Sequence, residues 1–130
     1  MLKIVYNDRY GGFGMNKAAL EEYNRLSLTS WRHPNGIARD DPVLIEMVER
    51  MGNSINNENS NLTIKQFDNR YKHFLKWTEY DGKETVTIDY DKYIIYTIRQ
   101  HVDSDLSDPE KIKRIKELYN ENPTMGMGSA

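Results

Sequence analysis

No cysteine occurs in the 130 residues, which excludes disulfides and thiolate-bound metal and leaves the redox compartment unmarked. Neither sign of charge prevails. The formal net charge is −2, so the broad basic footprint of a nucleic-acid binder is missing and no nucleic-acid partner is expected. No apolar run approaches membrane-spanning length, and the N-terminus lacks the charged-then-apolar pattern of a signal segment. The expectation is a soluble intracellular protein with no membrane partner. Histidine is scarce: His33, His73 and His101 have no metal-ligand spacing such as H-E-x-x-H, so neither metal nor other cofactor is expected. There is also no G-x-S-x-G elbow.

What the chain does have is the stretch Asp8-Arg9-Tyr10-Gly11-Gly12-Phe13-Gly14-Met15-Asn16. It follows the short alternation Leu2-Lys3-Ile4-Val5-Tyr6 and precedes a helical pattern beginning at Lys17. Three glycines in four positions allow positive φ and close backbone approach. A strand, a glycine-rich turn and a helix N-terminus also gather unpaired N–H groups at the positive end of a helix dipole, which suits an anion. Gly-Gly-Phe-Gly matches neither the phosphate-binding loop nor the dinucleotide fingerprint. The same glycines would serve equally in a tight strand-to-helix connection with Phe13 tucked into the core.

In the first strand Leu2, Ile4 and Tyr6 share one face, Lys3 and Val5 the other. Asn16 caps the first helix, with Met15 and Leu20 as a staple and Ala19, Leu20, Tyr23 and Leu26 as its stripe. The pattern breaks from Ser27 to Arg39, where His33-Pro34-Asn35-Gly36 is turn chemistry in a loop carrying Trp31, Arg32 and Arg39. A second helix starts with Asp41 as cap and Pro42 in the first position. Its stripe is Leu44, Ile45, Val48, Met51 and Ile55, with Gly52 near the end. The polar segment from Asn53 to Asn61 is expected to be a mobile loop.

Strand signals follow at 62–67 and, as a longer alternation, from Tyr71 to Tyr80. Asp81-Gly82 predicts a type I′ hairpin turn. That register sets Trp77 against Val86, Leu75 against Ile88 and Glu79 against Glu84. Like charges directly opposite each other are unfavourable. Either water screens them or a cation sits between, with Arg9, Arg32 and Arg39 as the candidates. Residues 93–98 have strand propensity, but Ile95, Ile98 and Val102 fit helical spacing with Asp89 or Asp91 as cap, and helix is the reading taken. The last helix opens on a capping box, Ser107-x-x-Glu110, and carries Ile112, Ile115, Leu118 and Tyr119 as its stripe. A flexible tail is expected over 122–130. The order β-α-α-β-β-β-α-α predicts an α+β fold, a small and largely antiparallel sheet covered by helices. Residues 1–121 read as one domain, of which 90–121 form a helical C-terminal extension.

Laid out in this way, the chain resembles a family of small viral proteins of tailed bacteriophages and large DNA viruses. The matching pieces are Tyr10-Gly11-Gly12-Phe13-Gly14 with Ala18, then Arg39-x-Asp41-Pro42-x-Leu44-Ile45 with Val48-Glu49 and Gly52. Leu62-x-Ile64 and Tyr80-Asp81-Gly82-x-Glu84 follow. They span about the first two thirds of the chain; Met15-Asn16 stands where the family often has Leu-Ser, and the part from Tyr90 on departs as an extension. The resemblance implies a viral origin, the same core fold and a place in the host cytoplasm or the virion. It brings no catalytic residues.

Three function classes remain. The first is a binding protein. Arg9, Tyr10, Gly11, Gly12, Phe13, Gly14, Arg39, Asp40, Tyr80, Asp81 and Glu84 are its candidate ligand-binding residues, provided the segments near positions 10, 40 and 82 meet. Such a site would suit a small anionic, nucleotide-like ligand, and in a virus the capture of a phosphorylated host signal, an anti-defence role. The second is a virion or host-interaction protein with a viral or host protein partner, for which Trp31 and the polar loop speak; a homo-oligomer fits here too. The third, a small nucleotide-processing enzyme, ranks below both. Asp40–Asp41 or Glu79–Glu84 could be its carboxylate pair, but capping and a hairpin tip account for them more simply.

Overall fold

The structure, a computed structural model, describes residues 1–102 and 108–121. The chain is an α+β protein. Its elements run β1 (Leu2–Asn7), α1 (Lys17–Ser27), α2 (Pro42–Met51), β2 (Leu62–Phe67), β3 (Leu75–Tyr80), β4 (Lys83–Ile88), α3 (Tyr90–Val102) and α4 (Asp108–Glu121), in the order the sequence predicts. Where one small sheet was expected there are two, each of two strands: β1 with β2 and β3 with β4. These residues form two compact units, Met1–Lys72 with Lys76–Thr87, and His73–Leu75 with the described residues from Ile88 on.

The first unit is built on the antiparallel pair β1–β2, in which Ile4 lies opposite Lys65 and Val5 opposite Ile64. Val5 is fully buried and joins the core with Met15, Ala19, Tyr23, Leu44, Met47, Val48, Ile55 and Leu62. Burying a side chain such as Leu44 or Met47 contributes about 1.5–3 kcal/mol. The Lys3 and Val5 face of β1 therefore looks toward the helices, and Lys3 Nζ reaches Glu49 of α2 at 3.1 Å.

Both helices of this unit begin on the predicted caps. Asn16 Oδ1 accepts from the Ala19 amide at 2.8 Å. Asp41 Oδ1 accepts from Val43 and Leu44 at 2.9 and 3.0 Å. The buried faces differ at two positions: Leu26, a predicted stripe member, is exposed, and Met47, outside the predicted stripe, is fully buried. Helix α1 ends at Leu28, which takes φ +55° as its cap.

The segment from Asn53 to Asn61 differs from the expected loop. Its first residues form a 3-10 turn, Gly52–Ile55, with Ile55 wholly buried. The rest is tied by its own side chains. Asn56 Oδ1 accepts from the Leu62 amide at 2.8 Å, Asn57 Oδ1 from the Asn59 amide at 2.8 Å, and Ser60 Oγ from the Asn57 amide at 3.0 Å. Short amide side chains here satisfy backbone that no ladder reaches.

Strand β3 is shorter than the alternation suggests. Asn69–Tyr71 is a 3-10 turn started by Asp68, whose carboxylate accepts from the Arg70 amide. The two-residue turn of the hairpin is present, with Asp81 at φ +49° and Gly82 at φ +88°. Both central residues have the positive φ that a type I′ turn requires.

In the second unit, 93–102 is helix, and Asp89 caps it by accepting from Lys92 N at 3.0 Å. The face is shifted by one residue: Ile94 is buried, while Ile95 and Val102 are exposed. Phe74 packs edge-on to Tyr93 at 5.4 Å and tilted against Tyr96 at 5.2 Å, a small aromatic core. In α4, Ile112 is exposed. Ser107 of the capping box, the stripe positions Leu118 and Tyr119 and the tail 122–130 lie outside the residues described in this detail.

Candidate functional site

The glycine-rich loop, Arg39 and the hairpin tip meet within the first unit. Backbone approach makes the junction. The Gly11 amide donates to the Asp81 carbonyl at 2.7 Å. A Cβ on Gly82 would lie 2.0 Å from the nitrogen of Gly12, and one on Gly11 would lie 2.7 Å from Cβ of Asn59. The glycines therefore act where chain passes chain, since any side chain would part the two loops.

Asn7, the last residue of β1, ties the junction together. It is completely buried. Its Nδ2 donates to the carbonyls of Arg9 and Gly82, both at 2.8 Å, and its Oδ1 accepts from Asn61 N at 2.8 Å. Its own amide donates to Glu84 Oε1 at 2.8 Å. Sequence reasoning missed Asn7. The available signal was a polar residue ending an apolar strand directly before the glycine loop.

The carboxylates facing each other on the hairpin are not bridged by a shared cation. Glu84 Oε1 accepts from Arg39 Nη1 at 2.5 Å, and the two side chains are only 13% and 19% exposed. Of the three candidate arginines, Arg39 is the partner. Its guanidinium lies 3.5 Å from the centroid of the Phe13 ring and 5.7 Å from that of Trp77, a stacked position worth about 0.5–2 kcal/mol. Glu79 instead accepts from the Gly82 amide at 2.6 Å, closing the turn.

On the outward side the tip is open. Tyr10 and Tyr80 are 58% and 71% exposed, with ring centroids 6.1 Å apart at 80°. Lys83 Nζ sits 5.5 Å from the Tyr10 centroid and 3.8 Å from Asp8 Oδ1. Arg9 is exposed beside them. Next to this tip, Tyr6, Asp8, Lys65, Lys83, Glu84, Thr85 and Val86 line a cleft of about 270 Å³. Burial first, then the charge of Asp8, raises the Tyr6 hydroxyl above its ordinary pKa.

The structure thus brings together Tyr10, Gly11, Gly12, Phe13, Arg39, Tyr80, Asp81 and Glu84, with Arg9 at the margin. Gly14 is buried against the Asn57 side chain, which a Cβ would meet at 2.5 Å. Asp40 stands apart, lining a shallow groove along α2 with Pro42, Ile45, Glu46, Glu49 and Arg50. Tyr6, Asp8, Lys65 and Lys83 were not among the residues expected to bind a ligand; only the pairing of β1 with β2 puts Tyr6 near Lys65. No group of three His, Asp or Glu side chains among the described residues could hold a metal ion. Compared with protein-family models, curated proteins and solved structures, the chain matches none.

Proposed function

We propose that this is a non-enzymatic binding protein whose ligand surface is the outward side of the glycine loop and hairpin tip. The ligand is a small phosphorylated molecule with a planar ring, of nucleotide type. One observation carries the reading: Tyr10 and Tyr80 are held exposed and nearly perpendicular on backbone that is locked at Gly11–Asp81 and Gly12–Gly82. Exposed rings on a rigid support offer stacking area with little ordering cost. Lys83 and Arg9 beside them supply charge opposite to a phosphate. Arg39, in contrast, has its charge taken up by Glu84, so it supports the loop and leaves recognition to the rim. In the viral setting that the sequence resemblance implies, such a protein works by sequestering a phosphorylated host signal, which needs affinity and no bond-breaking.

The test is a thermal-shift titration across nucleoside mono-, di- and triphosphates. A true ligand at a hundredfold excess over its Kd raises stability by about 2.7 kcal/mol. The rise disappears in Tyr10→Ala and Tyr80→Ala, whose unliganded melting stays near that of the parent. A flat response to the whole panel removes the reading.

A second reading, a protein-interaction role, has its own observation. Leu28 is 93% exposed in a left-handed conformation. The loop after it is fixed by Asn24, which donates to the Trp31 carbonyl at 2.9 Å and accepts from its amide at 3.0 Å. A strained, exposed leucine followed three residues later by a half-exposed tryptophan offers apolar surface for a contact with another protein.

A further inference from the structure

The cleft beside the tip has a charge pattern that the paired Arg39 and Glu84 leave unexplained. Five titratable side chains face it: Tyr6 from β1, Asp8 just after it, Lys65 from β2, and Lys83 and Glu84 from β4. Glu84 is neutralised by Arg39. Asp8 stands 3.8 Å from Lys83, at the outer limit of an ion pair, with both side chains more than two-fifths exposed. Lys65 donates to the Val86 carbonyl at 2.9 Å and has no carboxylate partner among the described residues. Two ammonium groups therefore share the cleft with one loosely held carboxylate. A carbonyl is a weaker partner for an ammonium than an anion is. The Tyr6 hydroxyl, a phenol and so protonated at neutral pH, lines the cleft as a hydrogen-bond donor.

We infer that this cleft is a phosphoryl subsite, in which Lys65 and Lys83 flank a tetrahedral oxyanion and the Tyr6 hydroxyl gives it a further hydrogen bond. Lys83 belongs to both surfaces, lining the cleft and lying over the Tyr10 ring. A ligand with its ring on Tyr10 and Tyr80 has its phosphate within reach of the cleft. In that joint placement the inference rests on the proposed function; the phosphoryl subsite itself does not. Asp8 opposes the anion, and this gives the assignment a sign that a general lysine surface lacks.

The first probe is inorganic phosphate, titrated into isotopically labelled protein at constant ionic strength and followed by amide shifts. Saturable changes are expected at Lys65, Lys83 and Val86. Lys65→Met and Lys83→Met each weaken binding about tenfold, the loss of one charge-assisted contact. Asp8→Asn tightens it, and Tyr6→Phe weakens it less than either lysine variant. A response matched by chloride, or unchanged by both lysine variants, overturns the subsite. So does weaker binding in Asp8→Asn.

Adenosine and adenosine monophosphate form the second arm. If adenosine perturbs Tyr10 and Tyr80 while phosphate leaves the cleft silent, the subsite fails and the ring surface stands. If phosphate saturates the cleft while adenosine perturbs neither tyrosine and the monophosphate binds no tighter than phosphate, the subsite stands and the ring surface fails.

Discussion

The hairpin tip has two sides, and the charges on them are in opposite states. On the inner side Glu84, Arg39, Asn7 and Phe13 answer one another, at 2.5 Å for the ion pair and 2.8 Å for the amide that shares its oxygen. On the outer side the side chains of Tyr10, Tyr80, Lys83 and Arg9 lie open, and among the described residues none has a side-chain hydrogen bond or ion pair closer than the 3.8 Å between Lys83 and Asp8. Motif residues that look like one binding site in the sequence are thus divided between support and display. The inner set fixes two loops against each other, and the outer set uses that fixity. Polarity and convergence identify a junction; only the pairing of each group tells which side of it is available.

Substitutions that part the two loops have the largest expected effect. Gly82→Ala puts a carbon 2.0 Å from the Gly12 nitrogen at φ +88°, and backbone on both sides cannot yield. The expected loss is about 3 kcal/mol or more, measured by denaturant unfolding. Gly12→Ala is the matched control. Its φ of +108° is equally foreign to an L-residue, but no atom lies within 4 Å of the added carbon. It therefore reports conformational strain alone, about 1–2 kcal/mol. Equal losses in the two variants would mean that close approach contributes nothing.

Next comes the ion pair. Arg39→Met leaves the largely enclosed Glu84 without its cation, an expected cost of about 2–4 kcal/mol. Glu84→Gln costs less, since its carbonyl still accepts from the Asn7 amide. The double variant should recover part of the loss, and a double-mutant cycle with no coupling would refute the pairing. Leu28→Gly belongs to neither side of the tip. It relieves the strain at φ +55° and should stabilise by about 0.5–1 kcal/mol, allowing for the freedom glycine adds to the unfolded chain. A loss of stability there would mean that the leucine side chain is held by packing.

The smallest effects are in pH. Burial first, together with the negative Asp41, raises Tyr23 above its ordinary value of 10.0. The folded state thus prefers the neutral phenol. Its contribution is complete below pH 10 and is lost as pH rises toward the folded pKa. Asp68 has the opposite sign. Hydrogen bonding from the Arg70 amide, then from its side chain, lowers Asp68 below 3.8. Its contribution is present above that pH and is lost as pH falls through the folded value. Asp68→Asn should flatten the acid limb slightly, and Tyr23→Phe the alkaline limb more. An unchanged alkaline limb in Tyr23→Phe would locate the loss elsewhere, with Tyr6 the next residue to test.

Local chemistry was the legible part of this fold. The capping bonds of Asn16 and Asp41 and the turn at Asp81-Gly82 involve near neighbours in the chain, so the sequence carries the cause of these local features. Strand β2 matches the expected 62–67. The helical faces were legible to within a residue: Ile94 and Ile95 are equally apolar, so periodicity alone does not select the one that is buried. The asparagine-rich segment misleads because polarity reads as solvent exposure, whereas Asn56, Asn57 and Ser60 spend their polar atoms on backbone. At the candidate site the convergence was legible, since three segments share glycine, turn and cap chemistry. Asn7 and Lys65 were not, because their significance comes from neighbours more than fifty and twenty positions away.

The amides of Val5 and Asn7 have one further consequence. They leave β1 on the side away from β2 and end on the Arg39 carbonyl and the Glu84 carboxylate. Both amides on that strand margin are therefore already engaged within the chain, and a foreign strand pairing with β1 there would have to displace the Arg39 carbonyl and the Glu84 carboxylate.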